Sequence, residues 1–152
     1  MWELFRKYHY LNTDINLACR QFIGVVDGEI VCHTGVLPMP MSKNDKRLHR
    51  SVVLPDYQGI GIGMNFKNAI CDYLRHTGHQ GLIWSMTTTP AQYHAQCNSP
   101  KWKLIRYGRA KLNPVKSNFK RGYKSIINNT SRNRITYSFI YIGDEQKERL
   151  IY

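Results

Sequence analysis

The stretch Val52-Val53-Leu54-Pro55-Asp56-Tyr57-Gln58-Gly59-Ile60-Gly61-Ile62-Gly63 sets three glycines on alternate positions, behind a β-branched run and a proline. A segment with helical spacing follows it. Glycine allows positive φ and close backbone approach, and a helix starting there offers unpaired N–H groups and the positive end of its dipole. The stretch therefore reads as a pyrophosphate cradle between a strand and a helix. It fits neither G-x-x-x-x-G-K-[ST] nor G-x-G-x-x-G, which disfavours the P-loop and dinucleotide-binding readings. Alternate glycines also mark tightly packed turns that hold no ligand, so the flanking elements carry the decision.

Downstream, Phe66, Ile70 and Leu74, with Tyr73 beside them, predict a helix over Gly63 to Arg75 that stops at Thr77-Gly78. Leu82 to Met86 reads as a buried strand, Pro90 to Gln96 as a short helix and Trp102 to Tyr107 as a further strand. Ile135 to Ile142 alternates Tyr137, Phe139 and Tyr141 with Ser138, Ile140 and Ile142, as a late sheet strand does. Upstream, a strand from Arg47 to Leu54 ends at Pro55 and follows the polar loop Met41 to Lys46. Gln21 to Val26 and Ile30 to Leu37 flank Asp27-Gly28, a two-residue hairpin signal. Trp2, Phe5, Tyr8 and Leu11 recur at helical spacing and predict an amphipathic helix packed on the sheet. Arg109 to Arg134 is a basic stretch without an acid, read as a surface loop between the last two strands.

The glycine stretch resembles the acetyl-coenzyme A motif of the GNAT acetyltransferases, Q/R-x-x-G-x-G/A entered from a V-x-P strand end. Val53, Pro55, Gln58, Gly61 and Gly63 satisfy it. The element order over about Gln21 to Ile142 is also that family's layout. The resemblance implies an α/β fold, a mixed and mostly antiparallel central sheet with helices on both faces. The family usually begins with a strand before its first helices, whereas this sequence opens on the Trp2 helix, so that strand is expected to be absent or replaced. It also implies an N-acetyltransferase that moves an acetyl group from acetyl-coenzyme A to a primary amine. The backbone of Val52, Val53 and Leu54 would bond the acetyl and pantetheine groups. The N–H groups of Gln58, Gly59, Ile60, Gly61, Ile62, Gly63 and Met64 would hold the pyrophosphate. Many members carry a tyrosine, five residues before the aromatic of a G-F pair, that protonates the departing thiolate. With Trp102 as that aromatic, Cys97 takes the tyrosine position, and Tyr93, one turn earlier, is the substitute in space.

Amine acetylation also needs a base or a water relay with a pKa near working pH, which suits histidine. His49 lies four residues before Val53, and period-two geometry puts both on one strand face. Several members carry a Glu or His base at that spacing. His33 is the second choice. His76 and His79 flank a helix end, where a cation complements the dipole, and His94 reads as a surface helix position.

The chain has 152 residues, 42% of them hydrophobic, enough for one domain over 1–152 with a core that needs no metal or disulfide. Cys19, Cys32, Cys71 and Cys97 form no C-x-x-C pair, so they read as free thiols and no metal site is expected. No apolar run spans a bilayer and the start lacks a signal-like apolar stretch, which predicts a cytoplasmic protein without a membrane partner. The formal charge of +12 implies attraction to something anionic. Nucleic acid bound through residues 109–134 is one rival reading, and a coenzyme A-binding protein without turnover is another. The acceptor, a small-molecule or macromolecular amine, has no visible motif. Oligomeric state stays open, a homodimer included.

Overall fold

The computed structural model describes residues 2–8, 16, 18–40, 42–109 and 135–144. Its elements run α1 (Trp2–Arg6), β1 (Arg20–Val26), β2 (Glu29–Pro38), β3 (Lys46–Val53), a 3-10 turn (Pro55–Tyr57), α2 (Ile62–His76), β4 (Ile83–Thr87), α3 (Pro90–Cys97), β5 (Trp102–Arg109) and β6 (Ile135–Tyr141). The strands form one sheet in the order β1-β2-β3-β4-β6-β5. Only β3 and β4 run parallel. This is the expected mixed, mostly antiparallel α/β fold.

Local chemistry explains the joints. Asp27 (φ 51°) and Gly28 (φ 83°) both take left-handed backbone, as a two-residue hairpin turn requires. At the end of α2, Gly78 (φ 91°) lets its N–H reach the Arg75 carbonyl and the His79 N–H reach that of Leu74, closing the helix in a Schellman motif. The first helix is shorter than its spacing predicts. It spans one turn with Trp2 and Phe5 buried, while Leu11 lies outside the described residues. β5 ends at Arg109 and β6 begins at Ile135, so the basic stretch does connect them, but residues 110–134 are also outside the described set. Among the described residues, no helix is long and apolar enough to cross a membrane.

Cross-strand partners share a sheet face, which sorts the core. Val36, Leu48, Ile83, Phe139 and Tyr141 face α2 and pack with Ile70, Cys71, Leu74 and Trp102. The polar ends of the large aromatics are satisfied: Tyr141 Oη donates to Asp72 Oδ1 at 2.5 Å and Trp102 Nε1 to Asn68 Oδ1 at 2.8 Å. On the opposite face Trp2 and Phe5 pack on Val52 and on the buried His33 ring. Helices thus cover both faces.

The seam between β3 and β4 is short, pairing only Lys46 with Ile83 and Arg47 with Trp84. Asp45 clasps it. Its carboxylate accepts from the Leu82 N–H at 3.0 Å and from Trp84 Nε1 at 3.2 Å. Gly81 makes the approach feasible, since a Cβ there would stand 1.9 Å from the Asn44 carbonyl oxygen. Beyond Arg47 the two strands part.

Candidate active site

Two lobes open where the strands part. The larger, about 570 Å³, lies against the end of β3, the glycine loop and the starts of α2 and α3, with Thr34, Val53, Gly61, Gly63 and Ala95 in its wall. The smaller, about 180 Å³, lies between β3 and β4 and is lined by Arg47, His49, Arg50, Ser85 and Thr87 among others. Ser51, Lys67, Thr89 and Gln92 line both.

The glycine loop presents a row of open donors. Among the described residues, nothing accepts a backbone hydrogen bond from Gly59, Ile60, Gly61, Ile62 or Gly63. The flanking amides of the predicted set are engaged: Gln58 N–H donates to Pro55 at 3.1 Å and Met64 N–H to Gly61 at 3.1 Å. Gly59 (φ 85°) and Gly61 (φ 87°) hold left-handed backbone that other residues rarely adopt. Gly63 also sits in close packing, because a Cβ there would lie 3.1 Å from Val53 Cγ2, which would have to give by a few tenths of an ångström. Leu54 donates toward β2, to the Val31 carbonyl at 2.9 Å. Strand alternation therefore turns the Val53 N–H and C=O toward the opening, where Gln58 Nε2 reaches that carbonyl at 2.8 Å. Donors, cavity and strand edge converge on the mouth of the larger lobe.

The predicted acid–base residues fare unequally. β3 carries an extra residue opposite β2: His33 pairs with Val52 and Gly35 with His49, so two residues, Arg50 and Ser51, oppose Thr34 alone. Arg50 absorbs the bulge at φ 51°. This corrects the period-two argument, since His49 shares a face with Val52 and not with Val53. His49 still lines the smaller lobe, and its Nε2 accepts from Arg50 Nε at 3.1 Å. Tyr93 lines neither lobe. Its ring packs on Tyr137 at 4.1 Å, and Cys97 beside it holds the phenol above its ordinary range. Cys97 is exposed. His33 is a buried structural residue. Its Nδ1 lies 3.2 Å from the Arg50 carbonyl and its Nε2 3.4 Å from Gln21 Oε1, and burial lowers its pKa.

Sequence reasoning missed Lys67. It is 4% exposed, its Nζ donates to Gln92 Oε1 at 3.1 Å, and burial lowers its pKa from 10.5 to about 8. The signal was there: Gly63, Lys67, Ile70, Cys71 and Leu74 form one helical face, and a cation interrupts an otherwise apolar stripe.

Residues 2–97 match the model of the acetyltransferase (GNAT) family. No curated protein matches the sequence. Among solved structures, the ribosomal-protein-S18-alanine N-acetyltransferase of Escherichia coli superposes with a TM-score of 0.56 at 14% identity, over 84% of this chain and 70% of that one. An IAA acetyltransferase of Bacillus cereus gives 0.56 at 11% identity, over 82% and 77%. A family member from Elizabethkingia anophelis with acetyl-CoA bound gives 0.55 at 11% identity, over 81% and 74%. At such identities the likeness is one of fold.

Proposed function

This chain belongs to the acetyltransferase (GNAT) family, and from that premise we propose that it transfers an acetyl group from acetyl-coenzyme A to a primary amine. The observation that carries the reading is the run of five open amides from Gly59 to Gly63 at the start of α2, beside an unpaired stretch of strand edge. Consecutive N–H groups at a helix start suit a pyrophosphate, and the Val53 N–H and C=O suit the amide-bearing pantetheine arm. Acetyl-coenzyme A supplies an acetyl thioester, which a neutral amine attacks; the C–N bond forms as the C–S bond breaks, and the amine's proton is lost. His49, in the wall of the smaller lobe, is our candidate to accept that proton directly or through water.

Thermal-shift measurements with acetyl-coenzyme A, ATP and NAD test the cofactor class. Stabilisation by acetyl-coenzyme A alone is expected, and equal stabilisation by all three would defeat the reading. A second reading, binding without turnover, is favoured by one observation: Tyr93 packs on Tyr137, away from both lobes. Release of free thiol in the presence of an amine separates the two.

A further inference from the structure

Lys67 sits one turn after Gly63 on the buried face of α2, in the wall common to both lobes. Its hydrogen-bond partner, the Gln92 amide oxygen, is neutral, and no described carboxylate lies within ion-pairing distance. A buried ammonium without a counter-charge is strongly disfavoured until an anion joins it. The smaller lobe holds a second incomplete donor: Arg47 Nε is buried without a hydrogen-bond partner among the described residues. The rest of its wall adds His49, Arg50 and the hydroxyls of Ser51, Ser85, Thr87 and Thr89, and no Asp or Glu lines it. Its chemistry is that of an oxyanion site.

We propose that the smaller lobe binds an oxyanion carried by the amine acceptor, a carboxylate or a phosphate-type group, through Lys67 and Arg47. The inference rests on the acetyl transfer proposed above and names the substrate class for it. Size agrees, because a cavity of about 150 Å³ encloses one benzene ring, so a lobe of about 180 Å³ encloses one small oxyacid head. Like charge turns polycationic amines away. A cation beside the bound acceptor also lowers the pKa of its ammonium and enlarges the neutral, nucleophilic fraction.

The test is a panel of primary amines in matched sets: α-amino acids and ω-amino acids from glycine to 6-aminohexanoate, aminoalkylphosphonates of the same lengths, and the corresponding amides and alkylamines. Two readouts apply, thiol release from acetyl-coenzyme A and thermal stabilisation of the protein saturated with coenzyme A. At least one oxyanion-bearing set should stabilise the saturated protein. The same set should exceed its amide counterpart in kcat/KM by about tenfold to a hundredfold, as charged hydrogen bonds do. Carboxylate and phosphonate arms separate the two sources of the anion. Lys67→Met and Arg47→Gln should each cut the preference about tenfold, Lys67→Arg should retain part of it, and a cooperative thermal transition without ligand reports that each variant is folded. Oxyanion-bearing amines no better than amides in either readout, or a preference untouched by both charge-removing variants, overturns the proposal. Failure of acetyl-coenzyme A to bind the unaltered protein instead overturns the transfer reading, and this one with it.

Discussion

Replacing Lys67 by Met should make the protein more stable at neutral pH, and the gain should shrink as pH rises. The side chain keeps its length and apolar stem, loses one hydrogen bond to Gln92, and no longer buries a charge. The ammonium pKa falls from 10.5 to about 8 on folding, with burial as the dominant cause. At about 1.4 kcal/mol per pH unit, that gap corresponds to about 3 kcal/mol. The sign follows from proton binding. Below about pH 8 both states of the chain are protonated here, and the folded state bears the whole penalty. Between about pH 8 and 10.5 the unfolded chain holds more protons than the folded one, so this group makes stability rise with pH. Above that window the penalty is gone. Urea unfolding of both proteins in buffers without oxyanions, at about pH 7 and about pH 10.5, isolates the group, because shared titrations cancel in the difference. Lys67→Met should lead by up to about 3 kcal/mol at the lower pH, less about 1 kcal/mol for the lost hydrogen bond, and lose that lead at the higher. A difference constant within about 0.5 kcal/mol across the two conditions would refute the argument.

Gly61→Val should lose about 1–3 kcal/mol of stability through strain at positive φ and at least about tenfold in acetyl-coenzyme A affinity. Gly78→Val, at φ 91° with open space around it and absent from the lining of both lobes, should show the strain alone, so equal affinity loss in both variants would deny the cradle its role. His49→Gln should flatten the acidic limb of the pH–rate profile and leave acetyl-coenzyme A affinity unchanged; a superimposable profile would make the histidine structural. Tyr93→Phe should keep acetyl transfer within about twofold, since its ring lines neither lobe; a fall of about a hundredfold, the scale of a lost general acid, would contradict that placement.

Most of the fold was legible because its signals are local. Asp27-Gly28 dictates a tight turn, Thr77-Gly78 a helix stop, and the spacing of Phe66, Ile70 and Leu74 a helix, whatever the rest of the chain does. The glycine loop was legible for the same reason. Across β3 the sequence misled, since one residue in left-handed backbone at Arg50 reverses which side chains share a face. An arginine gives no hint of positive φ, unlike the glycines nearby. Tyr93 sits close to the site in sequence, yet helix rotation turns it toward Tyr137, and only the packing of α3 on β6 determines that. Lys67 was overlooked because it falls where an apolar residue is expected.

The two-pair seam between β3 and β4 gives the molecule a mechanical grain. Three strands stand on either side of it, joined across the sheet by the Lys46 and Arg47 pairings and the Asp45 clasp, with α2 bearing on strands of both halves. Opening that is confined to the seam breaks far fewer contacts than global unfolding, so amides along its edge should exchange with solvent water faster than those inside either half. A ligand seated between the halves would take the place of the missing ladder. Its binding energy would then be felt as cooperativity, slowing exchange in both halves at once, and the Asp45→Ala protein would depend on that ligand for unity more than the unaltered chain does.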